Sequence, residues 1–225
     1  MKFAGFQRTS LIDYPDRVAS VLFTPGCNLR CPYCHNWKIA FHPSPPFLSE
    51  EEVLEMLRQR KKYVDAVVVT GGEPTINSDL PSFLRRVKAE GFAVKLDTNG
   101  FRPDVLEECM PHLDYVALDV KTSTGKYRLL GADDISPLLK SIELLKKGKV
   151  DYEFRTTVVP AVVTSKDIEE IGELCMGAKR IVLQQFVTEN AYEERFRRLK
   201  PYSAEALRAF ADILKPYAVE VLVRA

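Results

Sequence analysis

Cys27, Cys31 and Cys34 fall in one short run, Pro25-Gly26-Cys27-Asn28-Leu29-Arg30-Cys31-Pro32-Tyr33-Cys34-His35-Asn36. The spacing is C-x₃-C-x₂-C. Three thiolates on one loop can hold three corners of a four-iron cluster, in which cysteine is the usual ligand at each iron. The fourth iron then lacks a ligand from this motif. An open coordination position separates a metal centre that does chemistry from one that only braces a fold, a logic best documented for zinc. Such an iron can chelate a small molecule directly.

Two other chemistries fit cysteines in this number. A structural zinc site of the Cys₃His type could use His35 as its fourth ligand, although zinc ligands usually come as two separated pairs. A four-cysteine electron-transfer cluster could recruit Cys109 or Cys175. Both of those cysteines fall in stretches expected to be helical, away from the loop.

From about Arg17 onward the chain alternates strands with helices. Strands are expected at 18–24, 66–70, 92–98, 115–120, 152–159, 181–186 and 219–223. Several, such as Ala66-Val67-Val68-Val69, are apolar without alternation, the mark of a parallel strand covered on both faces. Ser49-Glu50-Glu51-Glu52 reads as a capping box opening a helix whose apolar positions include Val53, Leu54 and Leu57. A second helix is expected from Pro81 to Glu90, with Pro81 in its first turn and Gly91 as its stop. Further helices are expected over 135–147, 166–176 and 204–214. Strand–helix–strand repeated about six times predicts a parallel sheet with right-handed crossovers. A full eight-unit barrel needs roughly 250 residues. The expected fold is therefore α/β, an incomplete, open (β/α)6 partial TIM barrel over residues 17–225. An extended N-terminal arm covers residues 1–16, and the whole forms a single domain over 1–225.

In parallel α/β folds ligands bind beyond the carboxyl ends of the strands. The residues after each strand are Cys27–Cys34, Gly71-Gly72-Glu73-Pro74, Asp97-Thr98-Asn99-Gly100, Asp119-Val120-Lys121, Val158-Val159-Pro160 and Gln184-Gln185. The fifth strand also carries Arg155. Each piece alone has a plain structural reading, since paired glycines and Asn-Gly are ordinary turn signals. Together they gather polar groups around the cysteines. Gly71 and Gly72 would let a ligand approach the backbone, and Glu73 offers a carboxylate to a cationic amine.

The remaining composition narrows the function class. The 225 residues carry a formal net charge of +1, which gives no electrostatic reason to expect nucleic acid or an acidic membrane as partner. The N-terminus lacks the pattern of a signal peptide, and no apolar run reaches membrane-spanning length. Five cysteines, an odd number, argue against a disulfide framework. A reducing cytoplasm is the expected compartment.

The cysteine loop, with Tyr33 before Cys34, followed by the Gly-Gly-Glu-Pro turn after the second strand, resembles the radical S-adenosylmethionine enzymes. The resemblance is close to the activases of glycyl radical enzymes. It also covers His35-Asn36, Leu96–Gly100, Leu118–Lys121 and Val158–Pro160. Within that group, Gly5-Phe6-Gln7-Arg8-Thr9-Ser10-Leu11-Ile12-Asp13-Tyr14-Pro15 is similar to the activating proteins of anaerobic ribonucleoside-triphosphate reductase. Activases of pyruvate formate-lyase usually carry Asp-Gly-Pro-Gly in the arm, where this chain has Asp13-Tyr14-Pro15-Asp16. They also have a histidine after the sixth strand, where this chain reads Gln184-Gln185-Phe186-Val187.

The resemblance implies one 4Fe–4S cluster on Cys27, Cys31 and Cys34, with S-adenosylmethionine chelating the fourth iron through its amino and carboxylate groups. Gly71, Gly72 and Glu73 would hold the methionyl ammonium, and Tyr33 would lie near the adenine. Asp97 and Asp119 would meet the cofactor's carboxylate through a monovalent cation, or its ribose, with Lys121 close by. Gln185 would replace the missing histidine. One electron from flavodoxin or ferredoxin would cleave the cofactor to methionine and a 5′-deoxyadenosyl radical, which takes hydrogen from a glycine of the partner. The partner implied is the large subunit of anaerobic ribonucleotide reductase. Other glycyl radical enzymes, such as pyruvate formate-lyase, or a small-molecule substrate are alternatives. A zinc or electron-transfer protein is the non-enzyme reading.

Overall fold

The computed structural model describes residues 1–224, and the chain falls into two compact units. The first comprises Met1–Asn28, Asn36–Thr98 and Arg102–Val116. The second comprises Leu29–His35, Asn99–Phe101 and the chain from Ala117 onward.

In the first unit the expected arm is real structure. Strand β1 (Lys2–Phe3) pairs antiparallel with the short β4 (Leu48–Ser49), and β2 (Gly5–Ser10) pairs antiparallel with β3 (Ala19–Thr24). Helix α1 (Trp37–Phe41) follows the cysteine loop, and α2 (Glu50–Arg60) precedes β5 (Ala66–Gly71). Helix α3 (Leu80–Ala89), β6 (Ala93–Thr98) and α4 (Pro103–Cys109) complete the unit. Strands β3, β5 and β6 run parallel, with Ala19 beside Ala66 and Ala66 beside Ala93. The strand order is β2-β3-β5-β6. The capping box of α2 forms as the sequence predicts: Ser49 Oγ accepts from the Glu52 amide and Glu52 Oε2 accepts from the Ser49 amide. Such a cap is worth about 1 kcal/mol. Gly91 takes the left-handed conformation that stops α3, with φ +83°. Val53, Leu54 and Leu57 of α2 and Phe83, Leu84 and Val87 of α3 are buried, as are Val21 and Val68 of the strands.

The second unit contains β7 (Tyr115–Asp119, from Ala117), α5 (Ser136–Lys147), β8 (Asp151–Val158), α6 (Ser165–Leu174), β9 (Ala178–Gln185), the short α7 (Glu194–Arg197), α8 (Ala204–Leu214) and β10 (Ala218–Arg224). Strands β8, β9 and β10 are parallel, in the order β7-β8-β9-β10. Helix α6 opens on a capping box between Thr164 and Asp167. In chain order α2, α3, α4, α5, α6 and α8 each join two successive strands. This is the mostly parallel α/β class that the sequence predicts. No helix among the described residues is long and apolar enough to cross a membrane.

Candidate active site

The cysteine loop leaves the carboxyl end of β3, and the first unit fixes its start against the Gly71-Gly72-Glu73 turn. Gly72 N donates to Thr24 O at 2.9 Å and Glu73 N to Gly26 O at 2.8 Å, while Gly26 N reaches Ile39 O at 2.8 Å. Asn36 adds a side-chain tie, Nδ2 to Gly71 O at 3.1 Å. Both glycines are required by this approach. A Cβ at Gly72 would lie 1.8 Å from Gly26 O, and one at Gly71 would lie 2.3 Å from Thr24 N, where φ is also +120°. The Cβ positions that the two glycines leave empty are taken by the backbone that leads into Cys27.

Glu73 lies just beyond the turn and is buried, 1% exposed. Its Oε1 accepts from Thr75 N at 3.1 Å, Thr75 Oγ1 at 2.6 Å and Thr98 Oγ1 at 2.7 Å. The carboxylate thus caps the 3₁₀ turn Pro74–Ile76 and ties it to the end of β6. On β6, Asp97 is held by Lys95, Nζ to Oδ1 at 2.6 Å, and both residues are buried. Lys95 was missed in the sequence. Its signal there is a lysine set between the apolar Val94 and Leu96 of a parallel strand.

In the second unit Cys31, Tyr33 and Cys34 sit on a tight turn, with Cys34 N bonded to Cys31 O at 3.1 Å. Arg30 N donates to Leu130 O at 2.7 Å and Glu193 N donates to Pro32 O at 2.8 Å. His35 Nε2 meets Val187 O at 2.5 Å. The connector between β9 and α8 therefore clasps this part of the loop. Tyr33 packs edge-on against Phe186, with centroids 6.4 Å apart, and tilted against Phe196 at 6.1 Å. Its hydroxyl is, among the described residues, the one buried side-chain polar atom without a hydrogen-bond partner. Burial, and next the neighbouring Cys31, push the phenol well above its usual pKa, so it stays protonated.

Asp119 ends β7 between two cations. Arg155 Nε meets Oδ1 at 2.7 Å and Lys121 Nζ meets Oδ2 at 2.9 Å. Burial works against ionisation, but the charges of Arg155 and Lys121 outweigh it and hold the carboxyl well below the usual carboxylate range. Burial likewise works against the Lys121 ammonium, and Asp119 more than restores it, raising the lysine well above its usual value. The Lys121 backbone amide donates to Tyr127 OH at 3.0 Å. Gln184 is in register with Thr157, two residues after Arg155, so it shares the Arg155 face of the sheet. Gln185 faces the other way and donates Nε2 to Tyr202 O at 3.1 Å. Of the two glutamines, Gln184 is thus the one on the Arg155 face of the sheet.

None of the five cysteines is in a disulfide. Cys109 and Cys175 are fully buried, and burial pushes both thiols up to about 12. They are inert core residues. Cys27 and Cys34 are partly accessible and Cys31 is buried. Among the described residues no three His, Cys, Asp or Glu side chains form a preassembled metal-binding group.

Residues 21–175 match the family model described as the radical SAM superfamily. The chain belongs to that superfamily. As a radical SAM enzyme it has relatives along its whole length. A protein of Methanocaldococcus jannaschii, provisionally named a glycyl-radical enzyme activating enzyme, is 38% identical over 98% of this chain and 95% of its own. The pyruvate formate-lyase-activating enzyme of Clostridium pasteurianum is 34% identical over 79% of this chain and 76% of its own. The chain thus falls with the activating enzymes of glycyl radical enzymes. Among solved structures, SuiB of Streptococcus suis bound to its precursor peptide SuiA superposes with a TM-score of 0.73 at 16% identity, covering 91% of this chain and 48% of that one. QueE from Escherichia coli gives 0.63 at 19% identity, covering 100% and 93%. These likenesses establish the fold, a mostly parallel radical SAM architecture consistent with a partial TIM barrel.

Membership brings a 4Fe–4S cluster and S-adenosylmethionine as cofactors. The chain's own donor set fits a cluster, with three thiols outside any disulfide at C-x₃-C-x₂-C on a loop braced by backbone hydrogen bonds. The unpartnered Tyr33 hydroxyl on that loop fits an organic ligand that supplies the missing hydrogen bond.

Proposed function

We propose that this enzyme installs a glycyl radical on the large subunit of an anaerobic ribonucleoside-triphosphate reductase. The glycyl-radical part of the reading rests on the end-to-end match to the M. jannaschii protein. The choice of reductase rests on Gly5–Pro15, which here forms β2 and the turn after it. In that turn Ser10 Oγ accepts from the Ile12 and Asp13 amides, both at 3.2 Å, and Leu11 and Ile12 stand exposed.

Cys27, Cys31 and Cys34 would hold three irons of the cluster. When bound, the cluster and S-adenosylmethionine supply the hydrogen-abstracting radical, on receipt of one electron from a reductant such as flavodoxin or ferredoxin. The backbone of Gly71 and Gly72 with Glu73 would hold the ammonium of the cofactor, and Tyr33 would meet its adenine. Asp119, fixed by Arg155 and Lys121, would face the carboxylate or ribose, with Gln184 alongside. The chain's part is to orient the cofactor and exclude water from it.

The relatives named as pyruvate formate-lyase-activating enzymes favour a second reading, in which that lyase is the partner. One experiment separates the two. Reconstituted, reduced protein is mixed anaerobically with S-adenosylmethionine and either reductase or lyase, then examined by electron paramagnetic resonance. A glycyl doublet on the reductase is expected. A doublet on the lyase alone would overturn the assignment, and 5′-deoxyadenosine measured in the same tubes reports the radical chemistry independently of the partner.

A further inference from the structure

The resemblance places a monovalent cation beside Asp97 and Asp119, but the structure gives both carboxylates other partners. In the first unit Asp97 Oδ1 lies 2.6 Å from the ammonium of Lys95, which is 2% exposed. In the second unit Asp119 divides its oxygens between Arg155 at 2.7 Å and Lys121 at 2.9 Å. A hard inorganic cation is held by oxygen ligands alone, whereas here nitrogen cations take Oδ1 of Asp97 and both carboxylate oxygens of Asp119. A further positive ion at either carboxylate would meet like charge and find the negative charge already matched. Neither residue fits a cation ligand.

We propose that the Lys95 ammonium is a built-in replacement for a bound monovalent cation at Asp97, which makes Lys95 a positioning residue for the S-adenosylmethionine site. The inference rests on the reading of Asp97 as a group of that site. Lys95 and Asp97 are two residues apart on β6, so their side chains leave the same face of the strand and meet without bending the backbone. An apolar pair would fill such a buried position at less desolvation cost. The charged pair instead fixes the orientation of a carboxylate at a strand end. A tethered ammonium is present at all times, whatever the salt outside, so the site needs no ion from solution.

The test compares salts at constant ionic strength. Affinity of the reconstituted protein for S-adenosylmethionine is measured by calorimetry in potassium, sodium or tetramethylammonium chloride. The thermal midpoint of the cluster-free protein is measured in the same salts. Wild type is expected to bind equally, within about twofold, in all three. Lys95→Met is expected to lose at least tenfold in tetramethylammonium and to recover most of that loss in potassium or sodium. Its thermal midpoint should rise with the same small ions. Lys95→Ala should recover with methylammonium. A tenfold loss for wild type in tetramethylammonium would overturn the proposal without any variant. So would a Lys95→Met protein that behaves alike in every salt, since that is the behaviour of a merely structural ion pair. Asp97→Asn binding the cofactor at full affinity would remove Asp97 from the site, while the cluster-free midpoints still report ion exchange at the pair. None of these measurements involves a partner enzyme, so they stand apart from the choice of reductase.

Discussion

Tyr33→Phe separates ligand binding from folding at one atom. The Tyr33 hydroxyl is buried and has no hydrogen-bond partner, while the residue as a whole is 7% exposed and its ring packs against Phe186 and Phe196. Removing the hydroxyl keeps the packing and deletes a polar group that loses water on folding without compensation. Such a group costs about 1–3 kcal/mol. The cluster-free variant should therefore be more stable than wild type. Taking about 1 kcal/mol, and roughly 2–4 °C per kcal/mol for a chain of this size, the thermal midpoint should rise by about 2–4 °C. Cofactor affinity should move the opposite way. A neutral hydrogen bond contributes about 0.5–1.5 kcal/mol, so the dissociation constant of S-adenosylmethionine on the reconstituted variant should rise about two- to tenfold. Differential scanning fluorimetry and calorimetry read the two effects. A midpoint lowered by several degrees with unchanged affinity would show that the hydroxyl serves the fold, and the ligand argument would be wrong.

Four further outcomes are expected. Gly72→Ala drives a Cβ to 1.8 Å from Gly26 O, so it should cost about 3 kcal/mol or more and abolish iron binding; retention of iron would refute the close-approach account. Glu73→Gln keeps an oxygen for Thr75 and Thr98 and should fold normally, yet bind S-adenosylmethionine about tenfold more weakly through loss of charge; equal affinity would remove the ammonium role. Cys109→Ala and Cys175→Ala should each cost about 1 kcal/mol of packing and leave iron content unchanged, which iron and sulfide assays check. Asp167 is buried, and although burial opposes its ionisation, Lys126, Ser123 and Thr164 lower its pKa from 3.8 to about 2. Because the folded value lies below the unfolded one, the pair contributes fully above about pH 4 and its contribution is lost as pH falls toward 2. Asp167→Asn should then lose about 2 kcal/mol at pH 7 and show a flatter stability profile between pH 4 and 2, measured by urea unfolding.

The parallel strands were legible because their runs are apolar without alternation, as at Ala66–Val69, and the cap at Ser49–Glu52 because its chemistry is local. Helix α8 was placed at its observed limits, Ala204–Leu214. The cysteine loop could be read because ligand spacing survives in one dimension. Other features depend on contacts distant in sequence. Why Gly71 and Gly72 are glycines is set by the backbone of Thr24 and Gly26, nearly fifty residues earlier. Gln184 and Gln185 are adjacent and chemically identical, so only the strand register decides which one shares a face with Arg155. The sequence places Cys109 in a helix but gives α4, Pro103–Cys109, no clear limits, because it is short and its Asp104, Glu107 and Glu108 obscure the apolar period. Lys95 takes its meaning only from its burial and its bond to Asp97, neither of which the sequence displays.

The clasp on the cysteine loop has a consequence for the order of events during synthesis. Pro32 and His35 are made early, yet the groups that hold them, Glu193 N and Val187 O, emerge more than 150 residues later. Until the ribosome has delivered that connector, Cys31 and Cys34 belong to an unfastened loop. The loop reaches its final shape only once the chain through Glu193 is made, so this early segment is among the last to be completed.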